Sequence, residues 1–165
     1  MPRNVMSSSL HPYSYVQNGE LAYEFTTVNG DVYVAYFLDM AAYSPYFTDV
    51  YTFNFELRDS NTIPQQDGRV ADTICVIMRR IFESNRNAVI IICDNTDHRE
   101  QGRNRLFQQW YARFGDPSIC KIDRQYHSEY YDIYSSLLIH EQNPNREHIE
   151  AAFIQLSEHG FIPEE

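Results

Sequence analysis

Residues Ala88 to Cys93 read AVIIIC, the longest apolar run in the chain. Such a run is far too short to span a bilayer. It has no polar face to turn to water and is rich in β-branched residues. It therefore reads as a strand covered on both faces and parallel to at least one neighbour. A strand of that kind requires a sheet with helices packed on either side. The rest of the chain can build one: of 165 residues, 43% are hydrophobic and 22% charged, enough for a substantial core in one domain.

The other segments supply partners for that strand. Tyr23 to Thr27 and Val32 to Leu38 are joined at Asn29-Gly30, which predicts a hairpin with a type I′ turn. That turn sets Phe25 opposite Val34 and Tyr23 opposite Tyr36. Val50 to Leu57 alternates, with Tyr51, Phe53, Phe55 and Leu57 on one face, and extends the hairpin into a three-stranded meander. Val70, Ile74, Ile77, Met78 and Ile81 recur at helical spacing and predict a helix over 68–84. A second helix is expected from Asp97, capped in combination with Glu100, to Phe114 before Gly115-Asp116-Pro117. Strands are expected over 119–126 and 130–140. A last helix starts at Asn143-Pro144, buries Ile149, Ala152, Phe153 and Leu156, and ends at a Gly160 cap with Phe161 folding back. Residues 1–20 are polar and are expected to form a loose arm, with a short strand near Tyr13 to Val16. Residues 21–165 form the expected α/β (α+β) domain, in the order β-β-β-α-β-α-β-β-α.

Thirteen basic against 23 acidic residues leave a formal charge of −10, which argues against nucleic-acid and anionic-membrane binding. The opening MPRNVMSSSL lacks an apolar signal core, so a cytoplasmic location is expected. Cys75, Cys93 and Cys120 are odd in number and without CxxC spacing, so they read as small buried hydrophobes rather than a disulfide or zinc framework. No nucleophile elbow, P-loop or dinucleotide fingerprint occurs. The 13 tyrosines suit half-buried strands and equally suit an interaction surface.

Two stretches carry candidate chemistry. In Gln65-Gln66-Asp67-Gly68-Arg69-Val70-Ala71, a turn opens a helix, where free N–H groups and the helix dipole favour an anion. The same stretch reads equally as a plain helix start with Asp67 as its cap. In NRLFQQWYARFGD, Trp110 and Tyr111 read as core aromatics.

Element order and these two stretches together make the chain resemble the GNAT-type N-acetyltransferase fold over roughly residues 21–140. The family signature Q/R-x-x-G-x-G/A is met at Gln65 and Gly68, with Val70 where Gly or Ala is usual. The pattern N-x-x-A-x-x-l-Y-x-x-x-G-F is met at Asn104, Tyr111 and Gly115, with Phe107 and Asp116 departing from it. The two N-terminal helices usual in the family have no counterpart in residues 1–20. The resemblance implies an acyl-CoA-binding domain, with acetyl-CoA as cofactor and an amine as acceptor. Gln65, Gly68, Arg69, Val70, Ala71 and Asn104 would hold the cofactor, Glu56 would act as base, and Tyr111 would protonate the departing thiolate. The alternative is a non-catalytic interaction or regulatory protein on the same scaffold, with a protein partner or a homodimer contact along the face from Arg99 to Arg105.

The segment Cys93 to Glu100, CDNTDHRE, leaves the C-terminal end of the central strand, where α/β ligand sites lie. With AVIIIC and LFQQWY it resembles an uncharacterised family of small bacterial proteins, a domain of unknown function. Asp94, Asp97, His98, Arg99 and Arg103 form a polar cluster there. Arg99 and Arg103 stand one helical turn apart and could clamp a phosphate or pair with the nearby carboxylates. Asp94, Asp97 and His98, joined by His127 and Glu129, would be the metal ligands if there were any. No spacing enforces a site, and no metal is expected.

Overall fold

The computed structural model describes residues 10–59, 67–94 and 100–161, with side chains at all of these but 94 and 100–106. A seven-stranded mixed sheet and three helices form an α+β fold. The strands are β1 (Tyr15–Gln17), β2 (Ala22–Thr26), β3 (Val32–Asp39), β4 (Val50–Asp59), β5 (Ala88–Asp94), β6 (Ile119–His127) and β7 (Asp132–His140). The helices are α1 (Gly68–Ile81), α2 (Glu100–Phe114) and α3 (Arg146–Glu158). The order across the sheet is β1-β2-β3-β4-β5-β7-β6, antiparallel everywhere except between β4 and β5.

β5 takes the central place its composition demands. Val89, Ile91 and Cys93 face a core shared with α1, α2 and the meander, while Ala88 and Ile90 face a second core under α3. The α1 periodicity is realised: Val70, Ile74, Ile77, Met78 and Ile81 are all buried. That helix ends at Ile81 rather than Ser84, with Phe82 as its cap. α3 begins at Arg146, because Asn143 Oδ1 accepts the Asn145 N–H (2.9 Å) and shapes a turn that keeps Pro144 ahead of the helix. Gly160 and Phe161 both adopt left-handed backbone, at φ 66° and 61°. The Phe161 N–H returns to the Leu156 carbonyl (2.9 Å), and its ring packs on Phe153.

The hairpin register differs from expectation by one residue. Phe25 stands opposite Tyr33 and Tyr23 opposite Ala35. The loop has three residues, Val28 to Gly30, closed by Thr27 N–H to Asp31 O (2.9 Å), with Gly30 at φ 85° and Asn29 at negative φ. A type I turn followed by a left-handed glycine replaces the type I′ turn. One residue of slip exchanges the two faces of β3. Ala35 and Phe37 are therefore the buried pair, rather than Val34 and Tyr36.

The expected loose arm is tied down from Leu10 onwards. The His11 N–H donates to Asp72 (3.0 Å), the Tyr13 N–H donates to the Thr73 hydroxyl (2.9 Å), and β1 pairs with β2. No helix among the described residues is long and apolar enough to cross a membrane. Gly160→Ala should lower stability by about 1–2 kcal/mol in urea unfolding. A Cβ there would both occupy left-handed backbone and stand 3.1 Å from the Tyr126 ring.

Candidate functional site

β4 and β5 run parallel but stay together only briefly. Val50, Tyr51 and Thr52 pair with Ala88, Val89 and Ile90, and the ladder then ends. Beyond it each strand stays with its outer neighbour. β4 follows β3 up to Asp59, and β5 follows β7 up to Asp94. An aromatic stack holds β4 to the meander: Tyr33 and Phe55 lie 4.9 Å apart at 8°, with Phe25 beside both. The two strands therefore part in a V.

The opening is a cavity of about 290 Å³. Phe53 to Glu56 line it from β4, Ile91 to Cys93 from β5, Ile74 from α1, and Phe107 and Trp110 from α2. The Ala88 N–H donates to the Asp49 carbonyl (3.0 Å), which fixes the ladder's phase. By alternation, Phe55 and Ile92 turn backbone N–H and C=O towards the opening, beyond the last ladder pair. Polar backbone edges between apolar walls suit a slender ligand that carries amides.

Glu56 stands at the rim, where its carboxylate accepts the Tyr36 hydroxyl (2.8 Å). That hydrogen bond, with some burial, raises the Tyr36 pKa above the usual phenol value. Tyr111 does not line the cavity. Its ring stands over the Lys121 ammonium on β6 (5.0 Å), two strands away from the opening in the sheet order, and burial raises its pKa. Its neighbours Phe107 and Trp110 are the residues of α2 that reach the cavity.

The start of α1 is already engaged by the protein's own groups. Asp67 caps the helix by accepting the Arg69 N–H (2.9 Å), and its other oxygen accepts the Tyr13 hydroxyl in a short hydrogen bond. Burial, then that bond, raises the Tyr13 pKa. The Arg69 guanidinium donates to the His11 and Pro12 carbonyls and lies 3.9 Å over the Tyr13 ring. Arg113 reaches from α2 to the Gly68 carbonyl and to Asp72 (2.7 Å each). Its guanidinium nitrogens lie 3.2 and 3.3 Å from where a Cβ on residue 68 would stand, so Gly68 lets Arg113 approach the start of α1 closely. Val70 and Ala71 are buried in the core. Sequence reasoning missed Tyr13, Asp72, Thr73 and Arg113 here, because their partners lie 41 to 61 residues away.

Gln65, Gln66, Asp97, His98 and Arg99 lie outside the described residues, and so do the side chains of Asp94, Arg103 and Asn104. His127 forms a close pair with Asp132 at the β6–β7 hairpin. Among the described residues, no three His, Cys, Asp or Glu side chains converge on a metal position. A larger cavity of about 400 Å³ lies between the loop at Ala42 to Tyr46 and α3, where Tyr46 stacks on His148 at 4.9 Å and 5°.

Cys75 is buried and donates to the Trp110 carbonyl (3.0 Å), and burial pushes its pKa up to about 11. It should stay protonated and resist thiol reagents at pH 8 until the chain unfolds, as a labelling time course would show. Arg113→Ala should cost roughly 2–3 kcal/mol in chemical denaturation, since it strips a nearly buried Asp72 of its charged donor.

A family model described as a family of unknown function (DUF6169) matches residues 66–155. No curated protein and no solved structure matches the chain.

Proposed function

This chain belongs to DUF6169, a family of unknown function, and on that premise we propose that it is an acyl-CoA-binding domain of GNAT-like type that transfers an acetyl group to an amine. One observation carries the reading: the parting of two parallel strands into a cavity with backbone edges and apolar walls. At about 290 Å³ the cavity accommodates a narrow acyl-bearing arm and not a whole nucleotide cofactor. Phe55 and Ile92 would bond the amides of that arm, and Phe53 and Trp110 would pack against its methylenes.

In this reading Glu56 takes a proton from the acceptor amine as the nitrogen attacks the thioester carbonyl. The carbon–sulfur bond then breaks, and the thiolate takes a proton from solvent, since Tyr111 does not face the cavity. The anionic half of the cofactor fits less well. Asp67 puts a carboxylate at the start of α1, and Arg69 would have to release His11 and Pro12 to meet a phosphate. That observation favours the second reading, a non-catalytic interaction protein on the same scaffold.

Calorimetric titration with acetyl-CoA and CoA separates the two. Saturable binding is expected, and Asn54→Trp, which fills the cavity from β4, should remove it. Glu56→Gln should keep binding and slow acetyl transfer by about 10²–10⁴-fold. Absence of binding up to about millimolar ligand would sink the acyl-CoA reading and leave the interaction protein.

A further inference from the structure

The two edges of the sheet are unlike. β1 has three residues, whereas β6 has nine and pairs with β7 without a break from Ile119 to His127. Among the described residues no strand lies on its outer side. It contains no proline and no bulge, two of the devices that blunt an edge.

The direction of its free backbone groups follows from the ladder. The Glu141 N–H donates to the Ser118 carbonyl (2.8 Å), and the Ser128 N–H donates to the Tyr131 carbonyl (3.0 Å). Both ends of the hairpin therefore turn even-numbered β6 residues towards β7. The odd-numbered residues Lys121, Asp123, Gln125 and His127 turn their N–H and C=O groups outwards, and Ile119 its C=O, while the Ile119 N–H donates to the Asp116 carbonyl (3.2 Å).

The geometry points to this edge as the site where a second copy of the chain pairs, antiparallel about a two-fold axis at Ile122, with Lys121 of each copy opposite Asp123 of the other. Only registers that oppose odd-numbered residues make ladder bonds. Sliding the partner two residues one way sets Asp123 against Asp123, and two residues the other way sets Lys121 against Lys121. Both oppose like charges. The register at Ile122 opposes unlike charges twice and sets Ile119 against Gln125, completing about six ladder bonds, because the Ile119 N–H is already given to the Asp116 carbonyl. Lys121 is the chain's single lysine. It is already held 3.1 Å from its own Asp123 and lies over the rings of Phe107 and Tyr111. Its side chain is 15% exposed and that of Asp123 is 60% exposed. A positioned ammonium thus sits beside an exposed carboxylate, which also accepts the Ser136 hydroxyl (2.5 Å), and two copies interleave them as Lys-Asp-Lys-Asp.

Sedimentation velocity on the full chain over a concentration series tests the pairing. A dimer is expected by about 100 μM. Gln125→Pro removes an outward N–H and the exposed side-chain bond to the Tyr134 hydroxyl (3.4 Å), leaves the β6–β7 ladder intact, and should give a monomer with nearly unchanged far-UV circular dichroism. Asp123→Lys should weaken the dimer at least about tenfold, and adding Lys121→Asp should restore it, because the swap re-creates both unlike pairs. A wild-type chain that stays monomeric at every concentration overturns the proposal. A dimer that survives both Gln125→Pro and Asp123→Lys overturns it too, because the contact would then lie elsewhere.

Discussion

Burial of β5 on both faces is the constraint on which the other elements depend. A strand with no polar side cannot sit at a sheet edge or under a single layer. α1 and α2 must therefore cover one face and α3 the other, and both neighbouring positions must be filled. The connection through α1 makes β4 the parallel neighbour, while the β6–β7 hairpin supplies the antiparallel one. The cavity follows from that asymmetry. β4 is bound by aromatic stacking to the meander, β5 by a full ladder to β7, and neither can follow the other past Thr52 and Ile90.

The start of α1 obeys a second constraint. Asp72 and Thr73 are buried polar residues on a helix that otherwise faces the core, and such groups need partners. The arm supplies the His11 and Tyr13 N–H groups, and α2 supplies Arg113. The hydrogen bonds that satisfy the helix therefore also fasten the N-terminal segment. They occupy the place where a helix terminus would otherwise offer itself to an anion. This is the physical tension within the proposed acyl-CoA reading, in which the cavity would take one half of the ligand while the helix start is taken up by the protein itself.

The hairpin shows how far local signals reach. Asn29-Gly30 marked a turn correctly, and Gly30 does take positive φ. Whether the loop has two or three residues was settled by Thr27 and Asp31, which close it through backbone and hydroxyl bonds. Tyr111 shows the same limit on a helix. Its spacing from Asn104 and Gly115 is legible in the chain, but which of Phe107, Trp110 and Tyr111 reaches the cavity depends on how α2 is rotated over the sheet. Glu56 was named only through the family resemblance; alternation along β4 sets it on the face opposite Phe53 and Phe55, and its place at the rim follows from the parting of β4 and β5.

Periodicity and composition by themselves determined the element types, their order, the central place of β5 and the buried stripe of α1. Each of these is a property of side chains close in sequence, whose burial follows a period of two or of 3.6. Tertiary structure alone decided the register of the hairpin, the parting of β4 from β5, the fastening of the arm and the direction of each cavity residue. Those depend on contacts between residues tens of positions apart. Their geometry exists only once the layers have packed and every buried polar group has found its partner.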